Sequence, residues 1–360
     1  PQVAQQPQVP AQEPRLGGAG AAAAKALNPD ISAIGDFIAN AGHNPVVPTP
    51  SFQMHETELG FQAIIDPYAR GDFFLSFGEA GVNLEEGYIT FTALPASFVA
   101  RAGKMRASFG KVNTMHNHVL PWVNRPLVTQ NLVGNEDGIN DAGVSVNRYL
   151  PAPKNWFLDF TGQVFRGDST DVFQAQVKND VSVVGHLRAY RDLTENANID
   201  LGGSYSRGHD IFGSPFIGNL YGVDATYRWK PLQRAIYRSF VARTELIWRQ
   251  ENQPALTVCA TFACPPNTAP GFQRAFGYYV SGDYQFARRW FAGLRLDNSD
   301  RPFNAALNDK GGSAVLTYWP SEFSQIRGHY QFTRYAGNID ASELFVQVLF
   351  SLGAHGAHPF

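Results

Sequence analysis

Histidine pairs are the first residues here whose spacing could do chemistry. His116 and His118 form an H-x-H pair within GKVNTMHNHVLPWVNRPLVTQNLVGNEDGI (110–139), and His355 and His358 form an H-x-x-H pair in the terminal GAHGAHPF. Imidazoles this close can hold Zn²⁺ or Cu²⁺. Neither pair brings a third ligand from its own neighbourhood, so solute binding, hydrogen bonding to a wall and plain exposure compete with metal. No motif requires a cofactor, and Zn²⁺ at these four histidines is the one candidate. Cys259 and Cys264 are the two cysteines, five positions apart in a Pro/Thr/Ala-rich stretch. They read as a disulfide closing a small loop in an oxidising compartment, with a metal pair or two thiols as alternatives. There is no G-x-S-x-G, H-E-x-x-H or phosphate-cradling glycine loop, and no spacing of Ser, His and Asp selects a triad, so an enzyme is not expected.

The elements that would carry these residues show period-two alternation. Thr57, Leu59, Phe61, Ala63 and Ile65 oppose Glu56, Glu58 and Gln62, and Tyr221, Val223, Ala225, Tyr227 and Trp229 oppose Asp224, Thr226 and Arg228. Successive side chains of a strand point to opposite faces, so each such run has one apolar and one polar side. Sixteen strands are predicted, starting near Ile31, Phe52, Tyr68, Leu84, Phe98, Asn140, Asn155, Ser182, Asn198, Asn219, Tyr237, Ala275, Trp290, Gly311, Phe323 and Ser342. Many have the roughly 10–13 residues a tilted strand needs to cross a bilayer. Joints after every even strand read as tight, such as DPYA (66–69), LPAS (94–97) and FARR (286–289), while joints after odd strands are mostly longer, above all 110–139 and 251–273.

Short turns on one side and long loops on the other fit a transmembrane barrel with its short side in the periplasm. No run approaches the roughly 18 apolar residues of a membrane helix. A chain that spans lipid without helices must close into a barrel to pair its backbone. Aromatics crowd the short-turn ends, including Tyr68, Tyr149, Trp156, Trp290 and Phe323, as an interfacial girdle does. Arg101, Arg148 and Arg191 have lipid-facing parity near those ends, where they can snorkel to headgroups. The predicted organisation is an all-β antiparallel barrel over 31–352, a flexible Pro/Gln/Ala-rich periplasmic segment over 1–30 and a tail over 353–360. The absence of a signal-peptide pattern at Pro1 reads as prior cleavage.

With apolar faces outward, the polar faces line the interior. Predicted lumen residues are Glu56, Glu58, Arg70, Asp72, Glu86, Lys104, Arg106, Arg188, Asp224, Arg228, Arg243, Glu245, Arg295 and Arg327. The two signs nearly balance, which implies weak charge selectivity rather than the single-sign constriction of a strongly selective pore. The 110–139 stretch carries Met115, Val119, Leu120, Trp122, Val123, Leu127, Val128 and Leu132, too many apolar groups to wave in water. It is predicted to fold inward as a constriction loop presenting His116, His118, Trp122 and Arg125. Packing on the rim or on a neighbouring subunit is the alternative.

The run AGKMRASFG (102–110) resembles the G-x-F-K-x-P-F-G strand of the phosphate-selective porin superfamily. The blocks LNPDISAIGDF, ELGFQAIIDPYARGDFF, HNHVLPWVNRPLV, LTYWPSEFSQIR and GAHGAHPF are similar to an outer-membrane group labelled zinc-regulated outer-membrane receptors. The resemblance covers about residues 27–360 and implies a sixteen-stranded, usually trimeric porin that admits anions through a basic lumen. The balanced charge of this lumen departs from that pattern. About 30 residues precede the first strand, fewer than the plug of an energy-coupled receptor. The expected function is passive diffusion of small hydrophilic solutes through a homotrimeric porin of the bacterial outer membrane. A non-conducting structural or assembly barrel with a filled lumen and a metal-responsive uptake channel are the alternatives. Expected partners are outer-membrane lipid, lipopolysaccharide and the barrel assembly machinery. With a net charge of −2 there is no field to favour nucleic acid.

Overall fold

The computed structural model describes residues 29–353 apart from 80, 170–171, 255–264 and 266. Cys259 and Cys264, His355 and His358, the segment 1–28 and the tail 354–360 lie outside the described residues.

The strands are β1 (Asp30–His43), β2 (Phe52–Asp66), β3 (Ala69–Gly78), β4 (Gly81–Phe91), β5 (Phe98–Arg106), β6 (Asn140–Leu150), β7 (Phe157–Phe165), β8 (Asp168–Ser169), β9 (Phe173–Gln174), β10 (Ser182–Thr194), β11 (Ala197–His209), β12 (Ile217–Trp229), β13 (Ser239–Gln253), β14 (Gly271–Ala287), β15 (Trp290–Arg301), β16 (Asn304–Ser321), β17 (Ser324–Tyr335) and β18 (Ile339–Gly353). β8 and β9 form a small separate ribbon, and the other sixteen close into one barrel in chain order. Closure runs from Ser32↔Gly353 to His43↔Ser342 between β1 and β18, antiparallel like every other joint. Strand starts fall at or near their predicted positions, with two informative exceptions. β14 begins at Gly271 rather than near Ala275, and β16 at Asn304 rather than near Gly311. Apolar alternation marks only the part of a strand that meets lipid. The ladder continues past it, through pairs such as Asn308↔Asp300.

The faces are inverted relative to a water-soluble protein. Along β15, Leu294 and Leu296 are 67% and 65% exposed, while Arg295 and Asp297 are 1% and 5% exposed. An apolar belt of this extent on the outside, with charges inside, is the arrangement a hydrocarbon solvent imposes. Aromatic groups gather at the short-turn end, where Tyr149 packs on Phe157 at 5.0 Å and Trp290 stacks on Tyr318 at 4.6 Å between centroids. Arg148 lies over the Phe98 ring and Arg191 over the Trp156 ring.

Between β5 and β6 the chain leaves the wall and folds into the lumen, as expected for the constriction loop. Its base is clipped by Asn113, 1% exposed. The Asn113 amide nitrogen donates to the carbonyls of Ala107 (2.9 Å) and Ile139 (3.1 Å), and Ile139 N donates back to Asn113 Oδ1 (2.9 Å). Gly138 sits at φ +61, where a Cβ would stand 1.9 Å from Asn113 Oδ1, so glycine is required on both conformational and steric grounds. Inside, Phe109, Val112, Leu120, Trp122, Val128, Leu132 and Val133 pack with Ile247, Tyr279 and Val315 of the wall into a dry cluster.

Two outcomes test this architecture. Leu294→Arg places a guanidinium in the belt and should lower barrel stability by about 2–4 kcal/mol, against about 0–1 kcal/mol for Phe323→Arg at the interface. Equilibrium unfolding in lipid vesicles measures the difference. Asn113→Ala leaves buried backbone groups unpaired, at roughly 1–3 kcal/mol each. The loop should then become cleavable by trypsin after Lys111 and Arg125 while the barrel stays folded.

Candidate functional site: the crossed lumen

The segment 107–139 reaches the wall on nearly opposite sides. Glu245 Oε1 on β13 accepts from the backbone N–H groups of Lys111 and Val112, each at 2.7 Å. Lys111 Nζ reaches Asp200 on β11 at 2.7 Å, and Gly110 N donates to Ser204 at 2.9 Å. His116, five residues on, meets β2 and β4. Along the ring of strands β4 and β13 are seven joints apart one way and nine the other, so the chain spans the lumen. It then passes β17, where Val123 N donates to His329 Nδ1 at 3.2 Å, and β15, where Leu127 N donates to Asp297 at 3.2 Å. Trp122 is wholly buried beneath the Arg295 guanidinium, 4.8 Å from its ring, with Tyr279 edge-on at 5.3 Å. Arg125 is the internal brace. It donates to the carbonyls of Val112 and Met115 and to Asn117 Oδ1, satisfying groups that a buried loop would leave bare. Burial, together with the nearby Arg106 charge, pulls its guanidinium down to about 9, so it stays charged at neutral pH.

Most predicted lumen residues lie on the inner face and are paired there. Arg70 contacts Asp72 at 2.7 Å, Arg188 and Arg228 converge on Asp200 at 2.8 and 3.6 Å, and Arg295 meets Asp297 at 2.7 Å. Arg243 pairs with Asp283. Asp224 is buried beside Gly202, and Arg327 donates to Trp122 O at 3.1 Å.

β5 requires a correction. Lys104 pairs with Ala142, on the side of Val144 and Val146, and its ammonium folds to Leu84 O at 2.6 Å, so it stands outside the lumen. Arg101 pairs with Ser145 and lies over the Tyr88 ring, on the inner face rather than toward lipid. Period two assigned Lys104 and Arg106 the same face. Arg106, however, ends the strand and turns inward to Glu85 (3.4 Å) and the carbonyls of Glu136 and Asp137.

The acidic corner on β2 and β4 is the densest cluster. His116 Nδ1 lies 2.6 Å from Glu58 and 2.7 Å from Glu85, and its Nε2 lies 2.9 Å from Glu86. His118 Nδ1 is 3.5 Å from the same Glu58 oxygen. Burial lowers the His116 pKa, and the carboxylates of Glu58, Glu85 and Glu86 more than reverse this, holding it well above the ordinary value. Two β-bulges build the corner. The register passes from Asp36↔Glu56 to Phe37↔Met54, leaving His55 as an extra residue, and from Phe74↔Glu86 to Leu75↔Leu84, leaving Glu85 as another. A bulge re-aims a side chain that strict alternation would send outward. His55 thereby stands 3.4 Å from Asp36 and 3.2 Å from Glu136, and its hydrogen bond holds the Glu136 carboxyl below the usual range. His55, Glu85, Asp36 and Glu136 are the site residues alternation does not single out. The adjacent acids of Glu85–Glu86 are the one sequence hint, since a strand cannot place both inward without a bulge.

No family model matches the chain. An uncharacterized protein of Aquifex aeolicus (strain VF5) is 28% identical over 343 residues, covering 86% of this chain and 70% of its own length. Among solved structures, the anion-selective porin from Comamonas acidovorans superposes with TM-score 0.59 at 9% identity, over 90% of this chain and 99% of that one. The outer membrane channel DcaP of Acinetobacter baumannii gives TM-score 0.55 at 11% identity, over 91% and 97%. In-vitro folded OmpT in its trimer form, an outer membrane protein of Vibrio cholerae, gives 0.57 at 10%, over 91% and 100%. Strand number, closure and inverted faces make the chain a sixteen-stranded transmembrane β-barrel, and these superpositions show that its fold is that of bacterial outer-membrane porins.

Proposed function

We propose that the protein is an outer-membrane porin through which small hydrophilic solutes diffuse past a constriction made by residues 107–139. The observation that carries this reading is the inner wall, which is charged and paired around its circumference while the loop that crosses it is tethered from opposite sides. A wall of this kind suits a wetted passage, and a crossing segment sets its width. The pairing of Arg188, Arg243 and Arg295 with acids on neighbouring positions cancels much of the field, so weak charge selectivity is expected. The acidic corner argues against a phosphate-selective lumen. The trimer form of the Vibrio cholerae barrel supports a homotrimer for this chain as well.

A second reading is favoured by one feature, the dry cluster around Trp122, Leu132 and Tyr279. It could seal the lumen and make the barrel a structural or assembly element.

Single-channel recording in planar bilayers separates the two. The porin reading expects small, steady conductance steps, a several-fold increase when 111–135 is replaced by a short Gly/Ser link, and a weakly selective reversal potential in a KCl gradient. Glu245→Ala, which removes the acceptor for two loop N–H groups, should raise conductance or its noise. A silent wild type with a conducting loop-shortened variant establishes the sealed barrel. Silence from both after confirmed insertion overturns the channel reading.

A further inference from the structure

The corner on β2 and β4 differs in chemistry from the rest of the lumen. Along β13 and β15 buried carboxylates face guanidinium groups, as in Arg249–Glu251 and Arg295–Asp297. At the corner four carboxylates converge, Glu56, Glu58, Glu85 and Glu86, at 7%, 3%, 4% and 9% exposure. The guanidinium that reaches them, Arg106, lies 3.4 Å from Glu85. Both carboxylate oxygens of Glu56 are buried and meet no N–H donor among the described residues, and carboxylate oxygens of Glu58 and Glu85 stand within 4.8 Å of it. Taking carboxylates out of water is costly unless positive charge accompanies them, and here the acids outnumber the cations.

His116 and His118 supply what an acid cluster alone does not. One ligand atom each from Glu58, His116 and His118 lie within 4.8 Å of one another. The histidines approach from the loop, His116 just before its Asn117–Val119 turn and His118 within it, while Glu58 is fixed in the middle of β2.

We propose that this corner binds one divalent transition-metal ion, with Glu58, His116 and His118 as ligands and Glu56 and Glu85 as the adjoining carboxylates. Two imidazoles and a carboxylate suit Zn²⁺ and its first-row neighbours, whereas Ca²⁺ and Mg²⁺ take oxygen ligands throughout. Metal–ligand bonds of about 2.0–2.1 Å put donor atoms roughly 3–4 Å apart, so binding draws the histidine turn slightly toward the wall. Glu56, without a donor of its own, gains a counter-charge. The ion staples 107–139 to β2 beside the point where the segment crosses the lumen. This binding is independent of whether the lumen conducts.

The test is Zn²⁺ titration of the full-length protein in detergent after EDTA treatment, with Co²⁺ as a spectroscopic stand-in. One equivalent of Zn²⁺ is expected, with visible Co²⁺ absorption of a nitrogen–oxygen site. His116→Asn with His118→Asn should weaken binding on the order of 100-fold, and Glu56→Gln, which keeps the volume, on the order of 10-fold. His355→Ala with His358→Ala should leave it unchanged. Absence of stoichiometric binding, binding that survives the His116/His118 double substitution, or binding lost with His355 and His358 overturns the proposal. Heat-modified migration on gels reports whether each variant is folded. Should the double variant fail that check, Glu56→Gln decides alone: unchanged Zn²⁺ affinity in a folded barrel overturns the site.

Discussion

Hydrocarbon offers no partner for a backbone N–H or C=O, and from that constraint the rest of this molecule follows. The β1–β18 ladder removes the last open edge, and every strand can then present leucine or valine to lipid without exposing a peptide group. The consequence falls on the other face. Once Leu294 and Leu296 point outward, Arg295 and Asp297 have nowhere to go but inward. A narrow interior filled with ionised groups is stable only when they are paired or wet. The ion pairs of the inner wall are thus a result of closure as much as of any solute the barrel serves.

Residues 107–139 meet the same demand by different means. A loop taken inside a barrel carries its backbone polar groups with it, and the fixed acids of the wall are what it binds: Glu245, Asp297 and Asp309 accept from its N–H groups and amides. Arg125 and Asn113 satisfy its carbonyls from within. With its polar atoms held, the apolar side chains pack as a small core against Ile247, Tyr279 and Val315. The wall supplies anions and the loop supplies donors, so each satisfies buried polar groups of the other.

Much of this could be read from alternation. Strand number, the inner-face acids from Glu56 to Glu245 and the inward loop follow from period two, joint lengths and the apolar content of 110–139. What could not be read has a common cause: each failure is a place where period two breaks. At His55 and Glu85 a single extra residue shifts the register, so two neighbours face inward together. At Arg106 the strand ends and its side chain leaves the alternation that should have been anchored on Arg101 and Met105 instead of Lys104. The early starts of β14 and β16 belong to the same class, because hydrogen bonding outlasts the lipid that makes alternation visible. Bulges and strand ends carry no composition of their own, whereas lipid-facing runs do.

The two inserted residues, His55 and Glu85, lie close together in the barrel. Both bulges lie on the arc from β1 to β4, on the wall that the loop meets with His116 and His118 rather than with its apolar core. The dry cluster draws mostly on strands β5 to β16, so the crossing segment has one greasy flank and one charged flank. Two recesses reach the charged flank from opposite ends. One, of about 150 Å³, is lined by Asn44, His55, Arg125, Glu136 and Glu343, and the smaller one by Ile34, His118, Gln325 and Ser351. A larger recess, of about 420 Å³, reaches the loop elsewhere, at Leu127, Gln130 and Asn131 beside Arg301 and Asp309. The inserted residues His55 and Glu85 stand on the same flank as Glu58, His116 and His118. The bulges thus gather the lumen's unmatched charge on one flank, where a recess lined by His55 and Glu136 opens beside it.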